Sequence, residues 1–374
     1  MGILKKRKKK PDFYNLDSIL AKNATYNVIF GERSNGKTFA CLEKSIVDFY
    51  NGKNQLAYIR RWKEDTVGKR ARQIFMGLNE SGKISEITKG EYTNVIYRNG
   101  CFYLCTFDET NSPIYNTETD CLGYLFALSD VEHDKSTTYP NVTNIVFDEF
   151  LTRQVYLQDE FITFMNTVST IIRQRTNVTI FMLGNTVNRF SPYFQEMGLS
   201  HVKDMKQGTI DIYRYGDSGL TVAVEYCESL EKSKENNFYF AFNNPKLEMI
   251  TGGAWELNIY PHVPMKYKPK NILFTYFIEF NDNIFQCEIV GIDDIYFTYI
   301  HEKTTPIKNE ESDLIYTFDY NPRLNYNRNV LKPISKLQEK IAWFFRNDRV
   351  YYQNNEVGDS IHNYLKICKA GKVV

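Results

Sequence analysis

The segment GERSNGKT (Gly31–Thr38) holds two glycines separated by four residues, followed at once by Lys37 and Thr38. That is the Gly-x4-Gly-Lys-Ser/Thr pattern of a phosphate-binding loop. Gly31 and Gly36 let the backbone curl closely around an anion. The amides of Glu32, Arg33, Ser34 and Asn35, with the N-terminus of the next helix, are then offered to phosphate oxygens. Lys37 reaches the β- and γ-phosphates of ATP, and Thr38 ligates Mg²⁺. The flanks suit this role, because a β-type run precedes the loop and a helical pattern follows it.

A second group lies in NIVFDEF (Asn144–Phe150). The apolar residues Ile145, Val146 and Phe147 carry Asp148 to the carboxyl end of a core strand, where open α/β sheets bind ligands. There Asp148 completes the Mg²⁺ shell, and Glu149 acts as general base on the attacking water. FMLGNT (Phe181–Thr186) gives a further strand ending in Asn185, an amide placed to sense the γ-phosphate. Arg173 and Arg175 in IIRQR have two readings, as helix C-terminal cations or as an arginine finger reaching a neighbour's site. Arg60 and Arg61, in YIRRWK, are either phosphate-binding forks or members of structural ion pairs.

These residues need a frame. Residues 26–31, 55–61, 141–150 and 178–186 read as strands, and 37–53, 159–175 and 330–347 as helices. A βαβ unit with a parallel sheet is expected. NVIYRNGCFYLC reads as a hairpin turning at Asn99–Gly100. The 374 residues are 43% hydrophobic, 15% aromatic and 24% charged, the composition of a folded soluble protein of two domains. A net charge of +1 confines any nucleic-acid surface to local patches. The seven scattered cysteines lack a C-x-x-C pair, which predicts a reduced, cytosolic protein without a zinc site. No apolar run approaches the ~18 residues of a membrane span.

Taken together, VIFGERSNGKTFA, AYIRRWK, YPNVTNIVFDEF, IIRQRTNV and LGNTVNRFSPYF resemble, in order and spacing, the DNA-packaging (encapsidation) ATPases of phi29-like phages. The resemblance is clear over residues 25–195 and thinner beyond. It implies an ATP- and Mg²⁺-dependent ring, pentameric in form, docked on the portal (connector) protein of an empty procapsid in the host cytoplasm and driving double-stranded viral DNA inward. An RNA adaptor between motor and portal is left open. Arg173 matches the family's arginine finger, and Lys135 a second basic residue offered across the subunit interface. Glu32 and Asn35 depart from the family's commoner small residues, at positions that carry no required chemistry.

The resemblance further implies an α/β P-loop NTPase of the ASCE type, a mainly parallel sheet flanked by helices, followed by a smaller α+β RNase H-like domain. The expected boundaries are 1–228 for the ATPase domain with its basic tail, 229–265 for a linker or lid, and 266–374 for the second domain. Family members have lost nuclease acids there. Glu279, Asp293, Asp294 and Asp319 nevertheless keep a terminase-like metal-dependent nuclease as the alternative. Lys266, Lys268 and Lys270, with the KKRKKK run (Lys5–Lys10), are candidate contacts to DNA phosphates.

Overall fold

The computed structural model describes residues 13–130, 137–152, 156–157, 159–186, 191–228, 260–263, 265–280 and 283–369. The chain divides into two compact units, Met1–Glu256 and Leu257–Val374. Most of the expected linker (229–265), the basic tail and Lys135 lie outside the described residues.

In the first unit the elements run α1 (Asp17–Leu20), β1 (Tyr26–Gly31), α2 (Lys37–Gly52), β2 (Gln55–Arg60), α3 (Gly68–Gln73), α4 (Met76–Ser81) and α5 (Lys83–Ile87). They continue with β3 (Asn94–Arg98), β4 (Cys101–Phe107), β5 (Pro113–Ile114), β6 (Cys121–Ala127) and β7 (Val142–Asp148). Then come α6 (Glu160–Ile172), β8 (Thr179–Asn185), α7 (Pro192–Glu196), β9 (Thr209–Tyr215) and β10 (Leu220–Tyr226). The strands form one sheet in the order β3-β4-β6-β2-β7-β8-β1-β10-β9, with β5 paired to β4. The stretch from β6 to β10 is parallel, and the flanking strands are antiparallel.

The central strands are apolar on both faces, as parallel strands covered by helices must be. Val28, Ile145, Phe147, Ile180 and Met182 belong to one core. Their alternating neighbours Ile29, Val146, Phe181 and Leu183 belong to the other, with Leu42, Ile46 and Phe49 of α2. Each such side chain contributes roughly 1.5–3 kcal/mol on burial.

Sequence reading locates the strands but not all their neighbours. β1 and β2 are parallel, yet β8 and β7 separate them, so the expected βαβ unit skips two positions. A short apolar run shows that a strand is buried without showing which strand it pairs with. The Asn99–Gly100 turn forms as expected, both residues having positive φ (49° and 83°). α6 ends at Ile172, earlier than expected, and the chain turns left-handed at Arg173 and Gln174. Among the described residues no helix is long and apolar enough to cross a membrane. All seven cysteines are free thiols.

The second unit holds β11 (Ile272–Phe280), β12 (Asn283–Ile292), β13 (Ile295–Glu302), β14 (Ile315–Tyr316), β15 (Tyr326–Asn327), α8 (Lys336–Arg346), β16 (Val350–Tyr352) and α9 (Asn355–Lys369). Its sheet runs β15-β14-β11-β12-β13-β16. β12 is antiparallel to both β11 and β13, whereas β14 and β15 are parallel to β11. α8 starts later than the sequence suggested. Pro333 precedes it, and the Ser335 hydroxyl caps it by accepting from the Gln338 amide at 3.2 Å.

Candidate nucleotide site

Side chains alternate along a strand with a period of two, so parity decides which of them share a face. Ile29 and Gly31 of β1, Val146 and Asp148 of β7, and Leu183 and Asn185 of β8 are in phase on the α2 side. Gly31 lies directly opposite Asn185, and β8 stands between the loop strand and the acid strand. The carboxyl ends of three neighbouring strands therefore bring Lys37, Asp148 and Asn185 to one edge.

The loop curls as its glycine requires. Gly36 has φ +97°, which L side chains rarely adopt, and it precedes the first residue of α2. The Lys37 ammonium donates to the Glu32 carbonyl at 2.6 Å, to Asn35 Oδ1 at 3.1 Å and to Asn185 Oδ1 at 3.5 Å. Burial disfavours its charge and lowers its pKa, against the opposing pull of Asp148 and Glu32. A buried ammonium ringed by neutral oxygens gains by exchanging them for anionic phosphate oxygens. Thr38 Oγ1 donates to Asp148 Oδ1 at 3.3 Å, which sets a hydroxyl beside a carboxylate. Hard oxygen donors of this kind fit Mg²⁺. A pocket of about 290 Å³ lies over Ser34–Thr38, Asp148 and Asn185.

Arg60 and Arg61 separate by the same parity. Tyr58 and Arg60 face Asp148: the Tyr58 hydroxyl donates to its Oδ2 at 2.5 Å, and Arg60 Nη1 does so at 3.3 Å. Arg60 Nη2 also holds Glu149 Oε2 at 2.7 Å, so one guanidinium bridges both acids. Burial opposes the Arg60 charge, but Asp148, Tyr58 and Glu149 more than offset it and raise its pKa. Glu149 itself has φ +59°, a left-handed conformation that stores roughly 1–3 kcal/mol of strain.

Arg61 follows Ile59 to the other face and is not available to phosphate. Its Nε donates to Glu160 Oε2 at 2.8 Å, and its Nη atoms donate to the carbonyls of Glu149 (3.0 Å) and Phe150 (2.7 Å). Arg61 thus fixes the turn that presents Glu149. Glu160 also accepts from the Tyr193 hydroxyl at 2.7 Å. Replacing Arg61 with Ala strands a buried carboxylate, so a loss of about 3–5 kcal/mol of unfolding free energy is expected in denaturant titration. An unchanged midpoint would show that the pair is not structural.

The two later arginines also differ. Arg175 donates to the carbonyls of Tyr139, Pro140, Val142, Ile171 and Ile172, stapling the end of α6 to the start of β7. Arg173 is exposed, and its Nη2 donates to the Thr137 carbonyl at 3.0 Å. Both sit beside the amino end of β7, six residues and roughly 20 Å from Asp148 at the other end.

Several contacts had no signal in the sequence. The Tyr14 amide donates to the Asn35 carbonyl at 2.9 Å and its hydroxyl to Glu225 at 2.6 Å, seating the segment before α1 on the loop. Glu160 meets Arg61 only through folding. Tyr58 was readable in principle, since it precedes Arg60 by two residues and shares its face.

In the second unit Lys266, Lys268 and Lys270 are exposed, while Tyr267 between them turns inward and donates to Glu288 at 2.6 Å. The four candidate acids do not all converge: Asp319 lies close enough to Glu279 to act on it, but the other two are elsewhere. Asp293 and Asp294 form the β12–β13 turn, beside the start of β11, whereas Glu279 lies near its far end opposite Ile284. Burial, then Glu310 and Asp319, push the Glu279 carboxyl up. Among the described residues no three His, Cys, Asp or Glu side chains group to hold a metal ion.

Loop, acid strand and intervening strand define an α/β P-loop protein. Residues 111–243 match the podovirus DNA encapsidation protein (Gp16) family. The DNA packaging proteins of Bacillus phages phi29 and PZA are each 26% identical over 185 residues, 49% of this chain and 49% of theirs. The match thus spans about half the length of these curated relatives. The packaging motor assembly of bacteriophage phi29 shares the fold, with a TM-score of 0.57 at 20% identity over 95% of this chain and 100% of that one. The Phi-28 gp11 DNA packaging motor does so with a TM-score of 0.55 at 17% identity, over 96% and 98%. The resemblance to phi29-like DNA-packaging ATPases is borne out.

Proposed function

We propose that this chain is an ATPase that drives double-stranded viral DNA into a procapsid, working as a homo-oligomeric, pentameric ring at the portal vertex in the host cytoplasm. The observation that carries the proposal is the convergence of Lys37, Thr38, Asp148, Glu149 and Asn185 at one sheet edge, in a chain similar to DNA packaging proteins. Thr38 and Asp148 would hold Mg²⁺, which would supply charge neutralisation to the triphosphate. Lys37 and the loop amides bind and orient the triphosphate. Glu149, once released from Arg60, takes the proton of the attacking water, and Asn185 contacts the γ-phosphate side.

Arg173 supplies the arginine finger. Its place at the opposite end of β7 puts this subunit's own site out of reach, so it serves a neighbour's. The carbonyl contacts of Arg175 occupy it structurally, which favours Arg173 of the two. Lys135 is proposed to act at the same interface. Lys266, Lys268 and Lys270 offer exposed cations to DNA phosphates.

The second unit is read as RNase H-like, supported by three antiparallel strands followed by two parallel to the first. The separation of the Asp293–Asp294 turn from Glu279 favours a unit without nuclease activity over the terminase-like alternative. The reading is tested by ATP hydrolysis measured with and without duplex DNA. Hydrolysis that duplex accelerates is expected, and hydrolysis indifferent to DNA contradicts it.

A further inference from the structure

Tyr58 is one of the largest fully buried side chains, at 1% exposure. A buried phenol needs a partner for its hydroxyl, and any backbone carbonyl would serve. Tyr58 gives its one proton instead to Asp148 Oδ2. The strand register explains why the residue is a tyrosine. Tyr58 lies opposite Val146 of β7, two residues short of Asp148, an offset of roughly 6.6 Å along the strand. A serine or threonine hydroxyl does not reach that far, whereas a phenol does.

The ring is held from its other side. Phe102 meets it edge-on, with centroids 6.5 Å apart at 85°. Phe102 is packed in turn by Phe75 at 4.9 Å and by Tyr97 at 5.6 Å. Tyr97 is itself tied down, its hydroxyl donating to the Thr66 carbonyl at 2.9 Å. A side chain locked by such packing presents its polar tip in one place.

The two oxygens of Asp148 are thereby distinguished. Oδ2 accepts from Tyr58 and from Arg60. Oδ1 accepts from the Glu149 amide at 3.0 Å and from the Thr38 hydroxyl at 3.3 Å. The last contact is long for a bond between a hydroxyl and a carboxylate, so it is readily exchanged.

We propose that Tyr58 is a positioning residue for Mg²⁺: its hydroxyl pins Oδ2 of Asp148 and leaves Oδ1, the oxygen beside Thr38, to the ion. The inference rests on the ATPase reading above and assigns that site a further residue. Tyr58 does not line the pocket over the loop, so it acts through Asp148 alone. A carboxylate fixed in advance binds a metal ion without first being ordered, which is how partners of metal ligands raise affinity.

The test titrates Mn²⁺ into the full chain holding a non-hydrolysable ATP analogue, with bound metal read by electron paramagnetic resonance. Tyr58→Phe keeps the ring, and Asp148 retains Arg60 and the Glu149 amide, so no carboxylate is stranded. Its Mn²⁺ affinity should fall about 10-fold, at the lower end of the range for such partners. Analogue affinity without divalent metal should match the wild type. Unchanged Mn²⁺ affinity overturns the proposal, as does an equal loss of metal-free analogue affinity, which marks a general distortion of the site. In an Asp148→Asn background Tyr58→Phe should weaken Mn²⁺ no further, and an additive loss overturns action through Asp148.

A second measurement needs no substitution. In wild-type protein with labelled tyrosine, the Tyr58 hydroxyl proton should shift in its magnetic resonance when Mg²⁺ joins the analogue complex. A signal indifferent to Mg²⁺ overturns the proposal even where Tyr58→Phe protein does not fold. Wild-type protein that binds no analogue in the presence of Mg²⁺ defeats the ATPase reading itself.

Discussion

Glu149→Gln protein should bind ATP as the wild type does and lose turnover by about 10²–10⁴-fold, the usual worth of a positioned general base. The side chain is 58% exposed, so the substitution leaves the core untouched. Glutamine keeps the shape and can still accept from Arg60, but it cannot take a proton from water. Arg60 retains Asp148 at 3.3 Å, so the neighbouring acid keeps its partner. The measurement pairs steady-state hydrolysis with equilibrium binding of a slowly hydrolysed ATP analogue. Turnover within a few-fold of wild type would remove Glu149 as the base.

Arg173→Ala should lower turnover by about 10³–10⁵-fold, the range for arginine fingers, while leaving ATP affinity and thermal stability close to wild type. Arg173 is an exposed side chain beyond the end of α6 whose Nη2 donates to the Thr137 carbonyl. Arg175→Ala should act in the opposite sense, through stability, because five carbonyls lose a donor. Mixing supplies the sharper discrimination. When Arg173→Ala subunits are combined with Glu149→Gln subunits, some interfaces pair an intact base with an intact finger, and activity should reappear. A mixture as inactive as its components would place the finger in its own subunit's site or nowhere.

The residues of the site were legible because each sits where one local rule applies. The loop needs only its glycines, Lys37 and Thr38 in sequence, and Asp148 and Asn185 each close an apolar run at a strand end. What escaped depends on pairing across the sheet. Arg60 and Arg61 are adjacent and chemically alike, and only the parity of β2, with the placement of Glu160 on α6, sends one to the acids and the other into the core. β6, β9 and β10 were not foreseen. In β9 exposed and half-buried residues alternate at a sheet edge, and such a pattern resembles a solvated loop. The acids of the second unit show the same limit from the other side. Four carboxylates near strands left a metal-dependent nuclease open as the alternative, yet strand register sets Glu279 and the Asp293–Asp294 turn toward opposite ends of β11.

The central claim is that ATP hydrolysis at this sheet edge moves duplex DNA into a shell. Its most direct test is nuclease protection: the purified chain, procapsids bearing their portal, duplex DNA and ATP are incubated, then treated with DNase. DNA that becomes protected only with hydrolysable ATP and wild-type Glu149 is the predicted result. Equal protection with Glu149→Gln protein, or none with active wild-type ATPase, would contradict it.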